Sequence, residues 1–282
     1  MNTACIPPAP PPPAQDISDS PWHEHDGSND IITSLSAAHV WLALGWHDIR
    51  QRYRRSVLGP LWFTLSTFIL VGTLGFLYSN FLNQEISLYL PFLGAGLVVW
   101  QYLNSCAGDA ATTFTQAGSL IKQIRMPITI HILRMVWRNF VIMLHSLPVL
   151  LIMMLFLGHV PTPEMLLVPL GLLLLAANCV WIGVVLGILC TRYRDIQPIV
   201  GNLFQVVFFF TPVMWTVDLL KERAWVAEFN PLYHLIQVVR APLIGAPLEI
   251  QSWTCALGMS VMGFALAQYL MKRCRNRISY WI

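Results

Sequence analysis

Residues 50–62 read RQRYRRSVLGPLW, and this stretch joins a basic segment to a long apolar one. Arg50, Arg52, Arg54 and Arg55 stand together, and no charged residue follows until Glu85. A charged side chain at the centre of a bilayer costs about 2.5–3.5 kcal/mol on insertion scales. A charge-free interval of this length is therefore typical of a membrane span, and the absence of charge becomes the guide to the fold.

The overall composition is that of an integral membrane protein. Only 11% of the residues are charged and 56% are hydrophobic, with a mean hydropathy of +0.58, whereas about a quarter of a soluble domain is charged. The net charge of +3 is too small to indicate a nucleic-acid partner. The six cysteines have no paired spacing, so neither a disulfide framework nor a zinc site is expected.

Six charge-free intervals are long enough to cross a membrane, since a spanning helix needs about 20 residues. They are residues 56–84, 86–108, 139–163, 165–191, 196–217 and 250–271. A shorter gap, residues 31–47, has apolar residues at helical spacing and predicts an amphipathic helix on the membrane surface: Ile31, Leu35, Ala38, Leu42 and Trp46. The expected class is an all-α membrane protein with six transmembrane helices.

Four regions follow from this division. Residues 1–30 are rich in proline and predict a disordered cytoplasmic tail. Residues 31–55 are expected to form the interfacial helix and its basic end, residues 56–271 a six-span transmembrane domain, and residues 272–282 a basic C-terminus on the same side as the tail.

The lysines and arginines divide unequally between the two sides of this topology. Fourteen belong to the side that carries both termini, and the other side has only Lys221, Arg223 and Arg240. Positive residues near span ends are retained in the cytoplasm. Both termini are therefore expected in the cytoplasm, and the arginines at 50–55 hold the first span there. This role in topology alone accounts for the cluster, and a second role stays open.

Motifs for chemistry are missing from the sequence. It has no GxxxxGK[ST] phosphate loop and no HExxH or GxSxG motif. Proton-coupled carriers keep ionisable groups at mid-membrane, and only His145 lies deep within a charge-free interval. Catalysis is not expected, and secondary transport is disfavoured.

Residues 116–127, QAGSLIKQIRMP, predict a short helix between the second and third spans. Leu120, Ile121 and Ile124 share one helical face, Lys122 and Arg125 lie off it, and Pro127 ends the run. Docking on a partner and lying on the membrane surface both fit this pattern.

The outer loop between the fifth and sixth spans predicts a second amphipathic helix. One face of this helix is apolar. A separate face carries Tyr233, Gln237 and Arg240, and we expect it to turn toward water or a ligand. Trp100 and Asn104 share a face within the second span, where helix packing and a polar path are both possible roles. Gly183 and Gly187 form a small-xxx-small pattern that allows close helix approach.

Several segments together resemble the membrane subunits of ABC transporters that export polysaccharides such as O-antigen, capsule and teichoic acid. The resemblance covers nearly the whole chain after the tail. It rests on these stretches: HDIRQRYRRSVLGPLW (47–62), QAGSLIKQIRMP (116–127), RYRDIQ (192–197), FFFTPVMW (208–215) and NPLYHLIQVVRAPLIG (230–245).

The resemblance implies a permease of the inner membrane that dimerises with a second copy and borrows cytoplasmic ATPase subunits. The ATPase would bind ATP and Mg²⁺, and this chain would bind no cofactor or metal. The residues implied in ATPase coupling are Arg52, Arg54, Arg55, Leu120, Ile121, Lys122, Ile124 and Arg125.

The substrate implied is a lipid-linked glycan, whose hydroxyls need partners because moving each into hydrocarbon costs on the order of several kcal/mol. We expect a polar or aromatic path along Trp100, Asn104, Tyr233, Gln237 and Arg240. One alternative is a drug or small-molecule ABC exporter, which neighbouring genes would reveal. The other is a membrane enzyme acting on lipid-linked sugars, for which Asp218, Glu222 and Glu228 lack a catalytic spacing.

Overall fold

The computed structural model describes residues 30–54, 56, 59, 61–82, 85–124, 126–217 and 225–282. Within these ranges every regular element is a helix, which confirms the all-α class. The proposed Pro-rich tail lies outside them except for Asp30. The helices are α1 (Asp30–Ser36), α2 (Ala38–Tyr53), α3 (Leu61–Leu82), α4 (Ile86–Gln116), α5 (Gly118–Gln123), α6 (Thr129–Phe156), α7 (Val168–Arg192), α8 (Ile196–Phe210), α9 (Trp225–Glu228), α10 (Pro231–Ile244) and α11 (Ile250–Trp281).

Four of the described helical segments are long and apolar enough to cross a membrane. They are α4, α6, α11 and the stretch Pro163–Arg192, in which a 3-10 turn leads into α7. The other two apolar segments, Thr64–Ser79 within α3 and Ile196–Phe210, are shorter. Four of the six expected spans are thus supported by length and composition, and the count of six stays a prediction.

Helix α4 lies at the centre of the bundle, where it packs against α3, α6, α7, α8 and α10. Small residues make this possible. A Cβ atom on Gly94 would lie 2.8 Å from Cδ1 of Leu150, and one on Gly96 would lie 3.2 Å from the carbonyl oxygen of Val213. Membrane helices approach closely where side chains are small, so neighbours can surround α4.

The glycine pair of α7 has the role that its spacing predicts. A Cβ on Gly183 would lie 2.9 Å from Cγ2 of Ile132 on α6, and one on Gly187 would lie 2.8 Å from Cε2 of Phe114 on α4. Both positions are buried. The pair lets α7 pack closely against α4 and α6.

Helix α3 is held to the bundle on one side by hydroxyl groups. Thr67 donates to Oε1 of Gln101 at 2.7 Å, and the hydroxyls of Thr64 and Ser146 lie 3.2 Å apart. Between helices in a membrane, such polar contacts contribute about 0.6 kcal/mol each. Its other side exposes large apolar side chains: Leu65, Ile69, Phe76 and Leu77.

The expected interfacial helix is two helices, α1 and α2, which meet at Ala37. Trp41, Gly45 and Ile49 form the side of α2 that is covered, and α2 packs against α6. The predicted apolar stripe is divided: Leu35 and Trp46 are exposed, Ala38 and Leu42 are half-buried, and Ile31 is buried. Packing on α6 covers a different side of α2, and the position of this helix on the membrane surface stays a prediction.

Candidate coupling and export sites

The first candidate site is the C-terminal end of α2. Arg50, Arg52 and Arg54 are exposed there, and Arg50 and Arg52 lie in the last turn, where positive charge interacts favourably with the helix dipole. Arg55 lies outside the described residues. The three described arginines are accessible to a partner.

The second candidate site is α5 and the residues that follow it. The expected short helix is present, but it ends at Gln123, and Ile124 has an extended backbone with a φ of −121°. Leu120 and Ile121 are half-buried, and Ile121 packs against the main core. The expectation that Ile124 shares their helical face is therefore wrong.

Exposure separates the predicted coupling residues of this segment into two groups. Lys122 is exposed and Ile124 is 45% exposed, whereas Leu120 and Ile121 are half-buried and Ile121 packs against the core. Arg125 lies outside the described residues. The exposed groups of this segment are thus a cation on α5 and an apolar side chain directly after it.

An ion-pair network lies behind these two sites and was missed by the sequence interpretation. Asp48 of α2 accepts two hydrogen bonds from Arg134, including one from Nε at 2.6 Å. Nη2 of Arg138 donates to Asp109 of α4 at 2.6 Å, and Nδ2 of Asn139 donates to the same carboxylate at 2.9 Å. Nη1 of Arg138 lies 3.5 Å from Asp48. The network joins α2, α4 and α6, and its two cations balance its two anions.

A cavity of about 490 Å³ lies beside this network, between the end of α2 and helices α3, α4 and α6, and Asp109 and Asn139 belong to both. Its wall includes the guanidinium of Arg52, the indole of Trp62, the ring of Tyr102 and the amide of Asn139. Ligand pockets combine apolar walls with a few convergent polar groups in this way. Such a wall can pair with an anion, stack on a sugar ring and hydrogen-bond hydroxyls.

Helix α10 forms the third candidate site, and local sequence sets both of its ends. The side chain of Asn230 accepts the N–H of Leu232 at 3.0 Å, Pro231 occupies the first turn, and Gly245 ends the helix with a φ of +68°. Cap, proline and left-handed glycine are the usual signals for a helix of this length. The helix packs against α4, α7 and α11.

The polar side chains of α10 form a hydrogen-bond cluster with Glu249, which is exposed. Tyr233 donates to Oε1 of Glu249 at 3.1 Å, and Nε2 of Gln237 donates to the same atom at 3.1 Å. The hydroxyl of Ser252 donates to Oε2 at 2.9 Å. Nε2 of His234 lies 2.7 Å from the carbonyl oxygen of Glu228 and must carry the proton, because a carbonyl only accepts.

Arg240 is buried in this cluster, at 2% exposure. Its Nη1 donates to the carbonyl of Pro212 at 2.7 Å, and its Nε and Nη2 donate to Oε1 of Gln237. The guanidinium also lies over the ring of Phe92, 4.1 Å from the centroid. Burial lowers the pKa of Arg240 to about 10, so the group remains charged at neutral pH.

This face was expected to turn toward water or a ligand, and the water half is wrong for Arg240 and for Tyr233, which is 6% exposed; a role beside a ligand stays a prediction. Gln237 alone of the three is partly exposed. The physical reason is that Glu249 and the Pro212 carbonyl accept hydrogen bonds from these side chains. Both partners lie outside α10. The residue spacing within α10 therefore indicated a polar face but not the groups that bind to it.

Trp100 and Asn104 differ in the same respect. Trp100 is covered by α8, with its ring centroid 5.9 Å from that of Phe204 and 5.2 Å from that of Phe208. Helix packing, one of its two expected roles, is what the structure shows. Asn104, one turn further along α4, is exposed.

The sequence of this helical bundle matches a known protein family. The family model described as "ABC-2 type transporter" matches residues 39–244, from α2 to the end of α10. The chain belongs to the ABC-2 type transporter family. It is therefore a transporter membrane subunit, with apolar helices that make it a multi-pass membrane protein.

Named relatives of this ABC-2 subunit share one description. The chain is 26% identical over 203 residues to the O-antigen export system permease protein RfbA of Myxococcus xanthus, covering 71% of this chain and 78% of that protein. It is 24% identical over 194 residues to the protein of the same name from Klebsiella pneumoniae, covering 67% of this chain and 74% of that one.

Proposed function

We propose that this chain is the membrane subunit of an ABC transporter that exports a lipid-linked polysaccharide of the O-antigen type across the cytoplasmic membrane. One observation carries the proposal: the named relatives, matched over two thirds or more of the chain, are O-antigen export permeases. No feature of the described residues favours a drug exporter or an enzyme over this function; Asp218 and Glu222 lie outside them.

The proposed topology has six spans, with both termini in the cytoplasm. Four spans are the longer helices described above. Helix α3 is the fifth, and α8 with the apolar residues that follow it to Val217 is the sixth. The 14 basic residues on one side support this arrangement, because positive residues near span ends are retained in the cytoplasm. The exposed stripe of Leu35 and Trp46 then lies on the cytoplasmic surface of the bilayer.

A separate ATPase supplies the energy and binds ATP and Mg²⁺. In this proposal it docks on the exposed residues Arg52 and Arg54 of α2 and on Lys122 and Ile124 beside α5. The ion-pair network of Asp48, Arg134, Arg138 and Asp109 links these surfaces to α4 and α6. A displacement applied at the surface then reaches the membrane helices through charged contacts.

The cavity beside Arg52 and Trp62 is the proposed loading site for the sugar and phosphate end of the substrate. Its position at the basic end of the bundle and its mixed wall support this role. Trp62→Ala tests it, with Trp225→Ala as the control for loss of an exposed indole outside the cavity. We expect export to fall only in the Trp62 variant, by about fivefold or more, for a lost contact of about 1 kcal/mol.

Deletion of the gene tests the function as a whole. We expect cells without the chain to make the glycan but to leave it inside, where antibodies added to intact cells do not reach it. Surface glycan returns when the chain is restored together with a functional ATPase. Normal surface glycan in the deletion strain would contradict the proposal. Sensitivity to drugs with normal surface glycan would indicate the small-molecule exporter, and an altered sugar composition would indicate the enzyme.

A further inference from the structure

The carboxylate of Asp30, at the start of α1, joins three parts of the chain that are far apart in sequence. Asp30 is 1% exposed. Its Oδ1 accepts the N–H of Ile128 at 3.2 Å, and its Oδ2 accepts the N–H and the hydroxyl of Thr129 at 2.9 and 2.7 Å. Nε of Arg275, on α11, lies 3.1 Å from Oδ1. One buried carboxylate thus connects α1, the start of α6 and the end of α11.

Asp30 acts as a helix cap supplied from another helix. The first N–H groups of a helix have no partner within it. Helix α6 begins at Thr129, and the residue before it, Ile128, makes no side-chain cap. A carboxylate at this end gains from the helix dipole as well as from charge-assisted hydrogen bonds. The position of the α6 N-terminus therefore depends on Asp30.

Both ends of segment 118–127, which contains α5, are connected to the C-terminal end of α11. At its start, a Cβ on Gly118 would lie 2.3 Å from Cγ2 of Ile282, so the end of α11 packs directly on this glycine. At its end, Ile128 and Thr129 bind Asp30, which pairs with Arg275. The guanidinium of Arg192 lies 5.0 Å from the ring of Trp281 and brings the α7–α8 turn to the same place.

We propose that Asp30 and Arg275 form a clamp that transmits movement of segment 118–127 to α1 and α11. They are positioning residues, and the inference rests on the proposed function, in which an ATPase pushes on this segment. The docking groups Lys122 and Ile124 are exposed and do not belong to the clamp. Breaking the clamp leaves docking and ATP hydrolysis in place while the movement no longer reaches the two helices.

The test compares Asp30→Asn and Arg275→Gln with Arg277→Gln, a matched control in which an exposed arginine of the same helix end is lost. Each permease is purified with its ATPase and reconstituted in vesicles. Complex yield, ATP hydrolysis and glycan exported per ATP are measured. We expect the first two to stay within about twofold and export per ATP to fall at least about fivefold in both clamp variants. Arg277→Gln behaves as wild type.

Amide hydrogen exchange gives a second measurement that does not depend on transport. In the purified complex, Asp30→Asn is expected to accelerate exchange at residues 128–132, because the α6 cap is weakened, and Arg277→Gln is not. The double variant Asp30→Asn/Arg275→Gln is expected to export as much as the worse single variant, since the two residues act through one contact.

Three results would overturn the clamp. They are unchanged export per ATP in Asp30→Asn, a parallel fall of complex yield, hydrolysis and export, and unchanged exchange at 128–132. A parallel fall would mean that Asp30 serves folding alone. Failure of the proposed function is a different result: the wild-type complex would then hydrolyse ATP without moving glycan, while the exchange measurement still reports on the clamp.

Discussion

Arg240 shows how one buried cation is accommodated between α10, α4 and the segment after α8. An isolated charge in an apolar interior is expensive, and it is tolerated only where partners satisfy it. Gln237, the Pro212 carbonyl and the ring of Phe92 are those partners. The guanidinium therefore ties α10 to the segment after α8 and to α4.

Replacing this arginine by methionine is predicted to destabilise the protein. Arg240→Met removes the cost of burying a charge but leaves the Pro212 carbonyl without its donor, and an unsatisfied buried acceptor costs about 1–3 kcal/mol. Gln237 is partly exposed, so water can replace the arginine as its hydrogen-bond partner. The unsatisfied Pro212 carbonyl therefore makes the net change in stability unfavourable. We expect the unfolding midpoint in detergent to fall by a few degrees, and Arg273→Met, at an exposed site, to leave it unchanged. An unchanged unfolding midpoint with impaired export would instead support direct contact between Arg240 and the exported glycan.

Ile121 and Ile124 are predicted to respond differently to aspartate, although the sequence placed them on one face. Ile121 packs against the core, so Ile121→Asp buries a charge and is expected to lower the yield of folded protein. Ile124 is exposed, so Ile124→Asp leaves folding intact and weakens docking of the ATPase. Yield of folded permease and co-purification of the ATPase separate the two effects. Normal co-purification of the Ile124 variant would remove this residue from the docking surface.

At the scale of elements, charge and helix ends mark different boundaries. The charge-free intervals end near Asp109 and begin at Asn139, yet α4 continues to Gln116 and α6 starts at Thr129. Helices continue beyond the apolar region because paired charges, such as Arg138 with Asp109, are stable there. The sequence located the apolar cores of these helices well and their ends poorly.

Close packing of α7 gives a prediction about a single glycine. Gly187→Leu places a side chain where Phe114 lies, with the Cβ alone 2.8 Å from Cε2. Overpacking costs about 1–3 kcal/mol, so we expect a lower unfolding midpoint. Gly258→Leu on α11 is the control, because nothing lies within 4 Å of a Cβ there. Equal midpoints for the two variants would contradict the packing of α7 described here.

At the scale of the whole molecule, a single chain leaves much apolar surface uncovered. Helix α8 packs on α4 through Phe204 and Phe208. Its opposite side exposes Ile199, Leu203, Val206, Phe209 and Phe210. Large exposed apolar patches mark contact with a membrane or another protein, so this side favours contact with the bilayer or a second copy.

Cross-linking tests the proposed homodimer at this surface. We expect Val206→Cys, with Cys5, Cys255 and Cys274 changed to serine, to form a disulfide-linked dimer in native membranes, because a dimer formed through this surface would bring equivalent α8 positions together. Phe156→Cys, at an exposed end of α6, is the control. Equal cross-linking at both positions would mean random collision, and none at Val206 would place the dimer contact elsewhere.

The sequence by itself determined the membrane class, the apolar helices, the basic end of the chain and the resemblance to polysaccharide exporters. Insertion into a bilayer depends on the composition of each segment of about 20 residues, which a linear reading contains. Only the tertiary structure decided that Arg240 is buried, that Asp48 pairs with Arg134, and that Asp30 caps α6 beside Arg275. These partners are distant in sequence, and the packing of the helices alone brings them together.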